Sequence, residues 1–196
     1  MSQKKLGIIG GGQLGSMLSQ AAKKLNIKTT VYSNDNDAPA QNLCDEFICW
    51  EYSDKKKISE FVGKVDVITY EFENIPYETL NEMNKSKSVL PKPSVNRLIQ
   101  HRIAEKDFIN KLNIRTTRYV SIEKKTDIET LGDFLPGILK TTTMGYDGKG
   151  QFPLKKMEDV NTLNIDFSKE YILEKLVKLK KEISVIVSRF GINNFE

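Results

Sequence analysis

Histidine occurs once in this chain, at His101, and cysteine twice, at Cys44 and Cys49. One imidazole and two thiols five positions apart supply neither a zinc-ligand set nor a disulfide framework, so a reduced, cytoplasmic protein is expected. No apolar run is long enough to cross a bilayer, and Gly10-Gly11-Gly12 interrupts the apolar stretch after Lys4 and Lys5 that superficially looks like a signal peptide. No membrane is expected as a partner. Aromatic platforms for stacking bases are also missing. The most basic stretch, Lys175 to Lys181, mixes apolar residues between its charges in the manner of a solvated edge, so no nucleic acid is expected either. The net charge of +4, from 30 basic and 26 acidic residues, is a mild surplus that suits small anionic ligands.

What the chain does contain is an alternation of strand and helix patterns. Leu6-Gly7-Ile8-Ile9 reads as a buried parallel strand, and Leu14, Met17, Leu18, Ala21 and Leu25 then recur at helical spacing. Strands are expected at Thr29 to Ser33, Glu46 to Trp50 and Val65 to Tyr70, with Ser53 capping a helix that runs towards Phe61 and Pro76 opening another. Such alternation implies an α/β fold with a doubly wound parallel sheet. The two prolines of Leu90-Pro91-Lys92-Pro93-Ser94 mark a boundary, with one domain at 1–93 and a second at 94–196, and Ser94 able to cap the segment after it. In the second domain, helices are expected over Arg102 to Leu112 and Asp127 to Phe134. Strands are expected at Ile138 to Lys140, Tyr171 to Glu174 and Ile183 to Val187.

The motif richest in chemistry is Lys140 followed by Gly145-Tyr146-Asp147-Gly148-Lys149-Gly150-Gln151. Glycines let backbone amides approach an oxyanion while a strand-held lysine supplies fixed positive charge, which points to a nucleoside triphosphate. The usual P-loop pattern does not fit, because Gly150 follows Lys149 where a hydroxyl would serve magnesium, so a lid is the functional reading and a tight hairpin turn the bland one. Near the N-terminus, Gly10-Gly11-Gly12-Gln13-Leu14-Gly15 places a helix N-terminus where a phosphate can sit. As a dinucleotide signal it is weak, since Ser33 and Asn34 occupy the turn where a ribose-binding acid belongs. Glu71 and Glu73 follow the strand ending at Tyr70, at the ligand-binding edge of a parallel sheet, although acids near a helix start need no ligand. His101, at a helix start, reads as a surface or capping residue. Glu174 and Glu182 bound an apolar and basic connector that could wrap an adenine, or are simply two solvent-facing glutamates on a hairpin.

Taken in order, Gly11 to Gly15, Tyr70 to Pro76, Arg102, Lys140, Gly145 to Gln151, Glu174 and Glu182 resemble the 5-(carboxyamino)imidazole ribonucleotide synthetase family of ATP-grasp enzymes, over essentially the whole chain. The resemblance implies a Rossmann-like pre-ATP-grasp domain followed by the first part of an ATP-grasp domain. It implies ATP with Mg2+, bicarbonate and 5-aminoimidazole ribonucleotide as reactants of purine biosynthesis, and a homodimer when full length. Under it, Arg102 and Lys140 meet ATP phosphates, and Gly145, Tyr146, Asp147, Gly148, Lys149, Gly150 and Gln151 form the lid. Glu174, Lys175, Leu176 and Val177 hold adenine, and Glu182 holds ribose. Gly12, Gln13 and Leu14 meet the other substrate's phosphate, with Glu73, Tyr146 and Asp147 near its aminoimidazole and Lys140, Tyr146 and Asp147 serving catalysis. Family members continue beyond the point matching Glu196, and their acidic magnesium ligands lie there, so no metal ligand is expected in this chain and no activity from it alone. An NAD(P)-dependent oxidoreductase and a non-catalytic nucleotide-binding module are the alternatives.

Overall fold

The computed structural model describes residues 3–145 and 149–189. The chain divides into two compact units, Met1–Thr116 with Thr142–Gly150, and Thr117–Thr141 with Gln151–Glu196.

In the first unit, β1 (Lys5–Ile9), β2 (Lys28–Ser33), β3 (Glu46–Cys49), β4 (Val67–Tyr70) and β5 (Val89–Leu90) form a five-stranded sheet in the order β3-β2-β1-β4-β5. Every pairing is parallel, as the alternating pattern implied. Helices α1 (Gln13–Lys24), α2 (Lys55–Lys64), α3 (Tyr77–Asn84), α4 (Pro93–Ile99) and α5 (Arg102–Lys111) complete it. Ile9, Tyr32, Phe61, Ile68, Ile75 and Leu80 are fully buried and belong to its main core. Because β1 lies between β2 and β4, the chain leaves β1 to one side and returns on the other, and the turns after β1 and β4 meet at the carboxyl edge. In open α/β sheets, that switch point is where ligands bind.

Helix α1 forms, but its buried face is Gly15, Ser16, Ser19 and Ala22, while Leu14, Met17 and Leu25 are exposed. Small residues face inward because the helix lies close to the turn before it. A Cβ on Gly15 would come within 2.5 Å of the Gly10 carbonyl oxygen. Two expected caps shift by a residue or two. Asp54, not Ser53, caps α2 by accepting from the Lys57 amide at 2.9 Å, and Lys92 stands at the cap of α4 with Pro93 taking its first turn and Ser94 inside. His101 does cap α5, its Nδ1 accepting from the Ala104 amide at 3.4 Å.

The second unit contains β6 (Tyr119–Ile122), α6 (Lys125–Glu129), β7 (Gly137–Thr141), β8 (Gln151–Leu154), α7 (Met157–Asn161) and β9 (Tyr171–Lys175). Its strands make an antiparallel sheet in the order β6-β9-β7-β8 over a core that includes Ile122, Ile128, Leu139 and Leu173. The single helix expected from Asp127 to Phe134 is instead α6 followed by a 3-10 turn at Gly132–Phe134, Gly132 breaking the run. Ile183 to Val187 alternates like a strand but is not one. The segment joins no ladder among the described residues, and Ile183, Val185, Ile186 and Val187 are all exposed. Alternation creates a potential face, whereas a strand requires a hydrogen-bonded neighbour.

Candidate functional site

Two candidate ligand surfaces can be built from the residues upward, one in each unit. In the first unit, β1 ends in Gly10, whose φ of +98° is open to glycine without strain and whose amide donates to the Tyr32 carbonyl at 2.9 Å. Glu71, next to β1's end through its amide bond to the Ile9 carbonyl, folds its carboxylate over this turn and accepts from the Gly12 amide at 3.0 Å. Its carboxyl is pushed above the ordinary glutamate range by burial and by Glu73 nearby, a rise moderated by the Gly12 bond. The bland reading of Glu71 as an acid at the start of the next helix therefore fails: α3 begins only at Tyr77, and Glu71 serves the N-terminus of α1. Gly12 is consequently already engaged. Gln13 and Leu14, at the first exposed positions of α1, carry amides that no residue four positions earlier can satisfy within the helix, the geometry an anion uses.

Glu73 lies in the irregular turn between β4 and α3, where two side chains from the α4 end take hold of its backbone. Asn96 Nδ2 and Gln100 Nε2 donate to the Glu73 carbonyl at 2.8 and 2.7 Å. Glu73, Asn74, Gln100, Arg102 and Thr142 line a cavity of about 220 Å³ in the same unit. Asn74 adds a buried Nδ2 with no hydrogen-bond partner among the described residues. Arg102, the first residue of α5, donates through Nη2 to the Gly145 carbonyl and through its backbone amide to the Thr142 carbonyl, both at 2.9 Å.

In the second unit, Lys140 on β7 and Glu174 on β9 sit diagonally across an antiparallel ladder in which Lys140 faces Ile172 and Ile138 faces Glu174. That register puts both side chains on one sheet face, and Lys140 Nζ lies 2.8 Å from Glu174 Oε2. Glu174 is 7% exposed, which rules out the solvent-facing alternative for it. Lys175 turns its ammonium to the carbonyls of Asp133 and Leu135, at 2.9 and 2.7 Å. The Lys175 and Leu176 amides are taken by the Arg118 and Pro136 carbonyls, both at 2.9 Å, whereas Leu176 and Val177 expose their side chains. Glu182 is exposed and outside any strand.

The glycine loop is a hairpin connection, since Lys140 on β7 pairs with Gln151 on β8, but a long one rather than a tight turn. Gly145 and Lys149 flank its centre, and Gly150 takes a φ of +69° just before β8. Tyr146, Asp147 and Gly148 lie outside the described residues. Among the described residues, no three His, Cys, Asp or Glu side chains group as a metal ion would need. No helix there is long and apolar enough to cross a membrane. Sequence reasoning missed Asn96 and Gln100 and passed over Glu71 in favour of Glu73. Glu71 was detectable as an acid at the carboxyl end of a strand adjoining the glycine turn; the two amides left no signal, because their partners are backbone atoms far along the chain.

The parallel sheet with its glycine and acidic turns and the lysine-bearing antiparallel sheet each fall within a matched family, and the two families together mark an ATP-grasp protein with its preceding domain. Residues 3–100 match the model of the ribonucleotide synthetase preATP-grasp domain and residues 107–194 that of the ATP-grasp domain. The N5-carboxyaminoimidazole ribonucleotide synthase of Staphylococcus aureus (strain COL) is 37% identical over 194 residues, 96% of this chain and 51% of that protein. The crystal structure of the Staphylococcus aureus N5-carboxyaminoimidazole synthetase complexed with ADP superposes with a TM-score of 0.89 at 34% identity, covering 98% of this chain and 52% of that one. A carboxyaminoimidazole ribonucleotide synthase from Aspergillus clavatus, complexed with ATP, does so with a TM-score of 0.80 at 26% identity, covering 91% and 48%. The chain belongs to the N5-carboxyaminoimidazole ribonucleotide synthetase family. It spans about half the length of the curated relatives it matches.

Proposed function

We propose that this chain contributes the ribonucleotide-binding domain, residues 1–93, and the start of the ATP-grasp domain, residues 94–196, to an ATP-dependent ligase that carboxylates 5-aminoimidazole ribonucleotide in the cytoplasm. The observation that carries the reading is the Lys140–Glu174 pair at 2.8 Å on adjacent strands, on the strand that leads into the glycine loop. A strand-held ammonium kept in place by a buried carboxylate is preorganised to meet the charge of a triphosphate. That a solved relative is complexed with ADP supports a nucleotide as the ligand.

In the proposed reaction, a bicarbonate oxygen attacks the γ-phosphorus of ATP and ADP leaves. The amine of the ribonucleotide then attacks the carboxyl carbon of the mixed anhydride, inorganic phosphate leaves, and the amine loses a proton. Magnesium, when bound, supplies charge neutralisation across the phosphates. Arg102 and Lys140 add positive charge, Gly145 to Gln151 cover the reactants, and Glu174 to Val177 border the adenine with Glu182 on the ribose. In this region the Lys175 and Leu176 amides are already committed, so the Val177 amide and the Leu176 carbonyl are the backbone groups suited to a base edge. The Gln13 and Leu14 amides take the ribonucleotide phosphate, with Glu73, Tyr146 and Asp147 towards its aminoimidazole. Homodimerisation belongs to the same proposal. The test is a coupled ADP-release assay with ATP, magnesium, bicarbonate and aminoimidazole ribonucleotide on the full-length protein carrying these residues, alongside titration with NAD. Ribonucleotide-dependent ADP release is expected; saturable NAD binding without it would overturn the assignment in favour of an oxidoreductase.

A further inference from the structure

We infer that Gln100, supported by Asn96, is a positioning residue that sets the Glu73 carboxylate for the base of the bound ribonucleotide. The inference rests on the proposed function, and its observations lie wholly within the first unit. Gln100 Nε2 donates to the Glu73 carbonyl and to the Ile75 carbonyl, each at 2.7 Å, so both of its protons are used on one turn. Asn96 Nδ2 donates to the same Glu73 carbonyl at 2.8 Å. The two side chains are one helical turn apart and therefore on one face, and the Gln100 amide completes that turn by donating to the Asn96 carbonyl at 3.0 Å.

The turn they hold, between β4 and α3, is closed from within by one long bond, the Ile75 amide donating to the Phe72 carbonyl at 3.3 Å across Glu73 and Asn74. That bond spans the turn but leaves the Glu73 carbonyl itself unheld; without the Asn96 and Gln100 donors the Glu73–Asn74 peptide plane would have wider play, and the Glu73 side chain would move with it. Fixing the carbonyl on one side of the Glu73 α-carbon restricts where its carboxylate can point, and both Glu73 and Gln100 line the 220 Å³ cavity. A carboxylate held there can accept from an exocyclic amine of the base, whereas a phosphate dianion offers it no donor. The clamp thus bears on recognition of the base and leaves the phosphate seat at Gln13 and Leu14 untouched. Asn96 is 0% exposed, which makes it a poor site for substitution, whereas Gln100 is only partly buried.

The experiment compares wild type, Gln100→Met, Glu73→Gln and the double variant by calorimetric titration with aminoimidazole ribonucleotide and with ribose 5-phosphate, which lacks the base. Gln100→Met keeps side-chain volume and removes both donors. Wild type is expected to prefer the ribonucleotide, and Gln100→Met to lose roughly tenfold of that preference, the scale of one charge-assisted hydrogen bond. Glu73→Gln should lose as much, the double variant no more than either single, and ribose 5-phosphate affinity should not move. A Gln100→Met protein with undiminished preference, or losses that add in the double variant, would overturn the inference. A wild type without any preference would instead count against the ribonucleotide reading. The clamp is then judged on NMR order parameters of the Glu73 and Asn74 amides, which are expected to fall in Gln100→Met; unchanged values would overturn it whatever the ligand does.

Discussion

Lys140 Nζ stands 2.8 Å from Glu174 Oε2, and the two side chains are only 17% and 9% exposed. An ion pair this far from water draws its worth from having both members present. Removing one takes this counter-charge away from the other in a largely desolvated setting, while replacing both with neutral side chains of similar shape is far milder. Lys140→Ala and Glu174→Ala are each expected to destabilise the second unit by roughly 1–3 kcal/mol in urea denaturation. Lys140→Met combined with Glu174→Gln should recover most of that loss. A double variant as unstable as the sum of the singles would mean that packing, not pairing, sets the cost.

The same geometry separates two lysines by function. In the full-length protein, Lys140→Ala is expected to reduce ATP-dependent turnover far more than Lys149→Ala, because Lys140 is held on β7 and Lys149 lies in the exposed turn before β8. Steady-state kinetics of the two variants side by side checks this, with stability measured in parallel. Wild-type turnover in Lys140→Ala would remove the phosphate role.

Glu71 predicts a pH dependence. Burial, the larger cause, and the nearby Glu73 raise its carboxyl above the ordinary value, so the folded state holds its proton to higher pH than the unfolded state does. Its ionisation therefore costs stability as pH rises from the unfolded carboxylate pKa through the raised folded one, and the cost persists above both. Glu71→Gln keeps an acceptor for the Gly12 amide and cannot ionise. Its stability relative to wild type should rise through that window and then level off, read from denaturation midpoints across the acid to neutral range. A gap independent of pH would show that Glu71 titrates alike in both states.

Two glycines in helices should respond in opposite directions to alanine. At Gly15 a Cβ would lie 2.5 Å from the Gly10 carbonyl oxygen, a backbone atom that cannot swing aside, so Gly15→Ala should cost roughly 1–3 kcal/mol. At Gly63 a Cβ would meet nothing within 4 Å, so Gly63→Ala should stabilise by roughly 0.5–1 kcal/mol through helix propensity and a stiffer unfolded chain. Thermal melts of both variants decide the matter.

The cap of α2 offers a further contrast. Asp54 accepts from the Lys57 amide, and that bond, ahead of one from Trp50, holds its carboxyl below the ordinary aspartate range. Its contribution is present above the unfolded pKa and lost as pH falls through the folded one. Asp54→Ala should lower the melting temperature at neutral pH and Ser53→Ala should not, with the difference shrinking in acid.

The parallel character of the first sheet was legible because Ile8, Ile9, Val31 and Ile68 sit in short apolar runs separated by helical patterns and turns, a local signal that burial merely realises. The glycine turn, the cap at His101 and the strand bearing Lys140 were legible for the same reason: each depends on neighbours a few residues away. What the sequence could not carry was direction and partnership. The apolar spacing of α1 announced a helix, yet close approach to the Gly10 carbonyl turned the small residues inward and left Leu14 and Met17 outside. Ile183 to Val187 had the alternation of a strand and no ladder to make it one. Glu71 reaching the Gly12 amide, Asn96 and Gln100 converging on the Glu73 carbonyl, and Lys140 meeting Glu174 each join residues far apart in the chain. Local propensity is additive along the backbone, whereas these contacts exist only after the sheets have brought distant segments within hydrogen-bonding reach, and only the tertiary structure decides them.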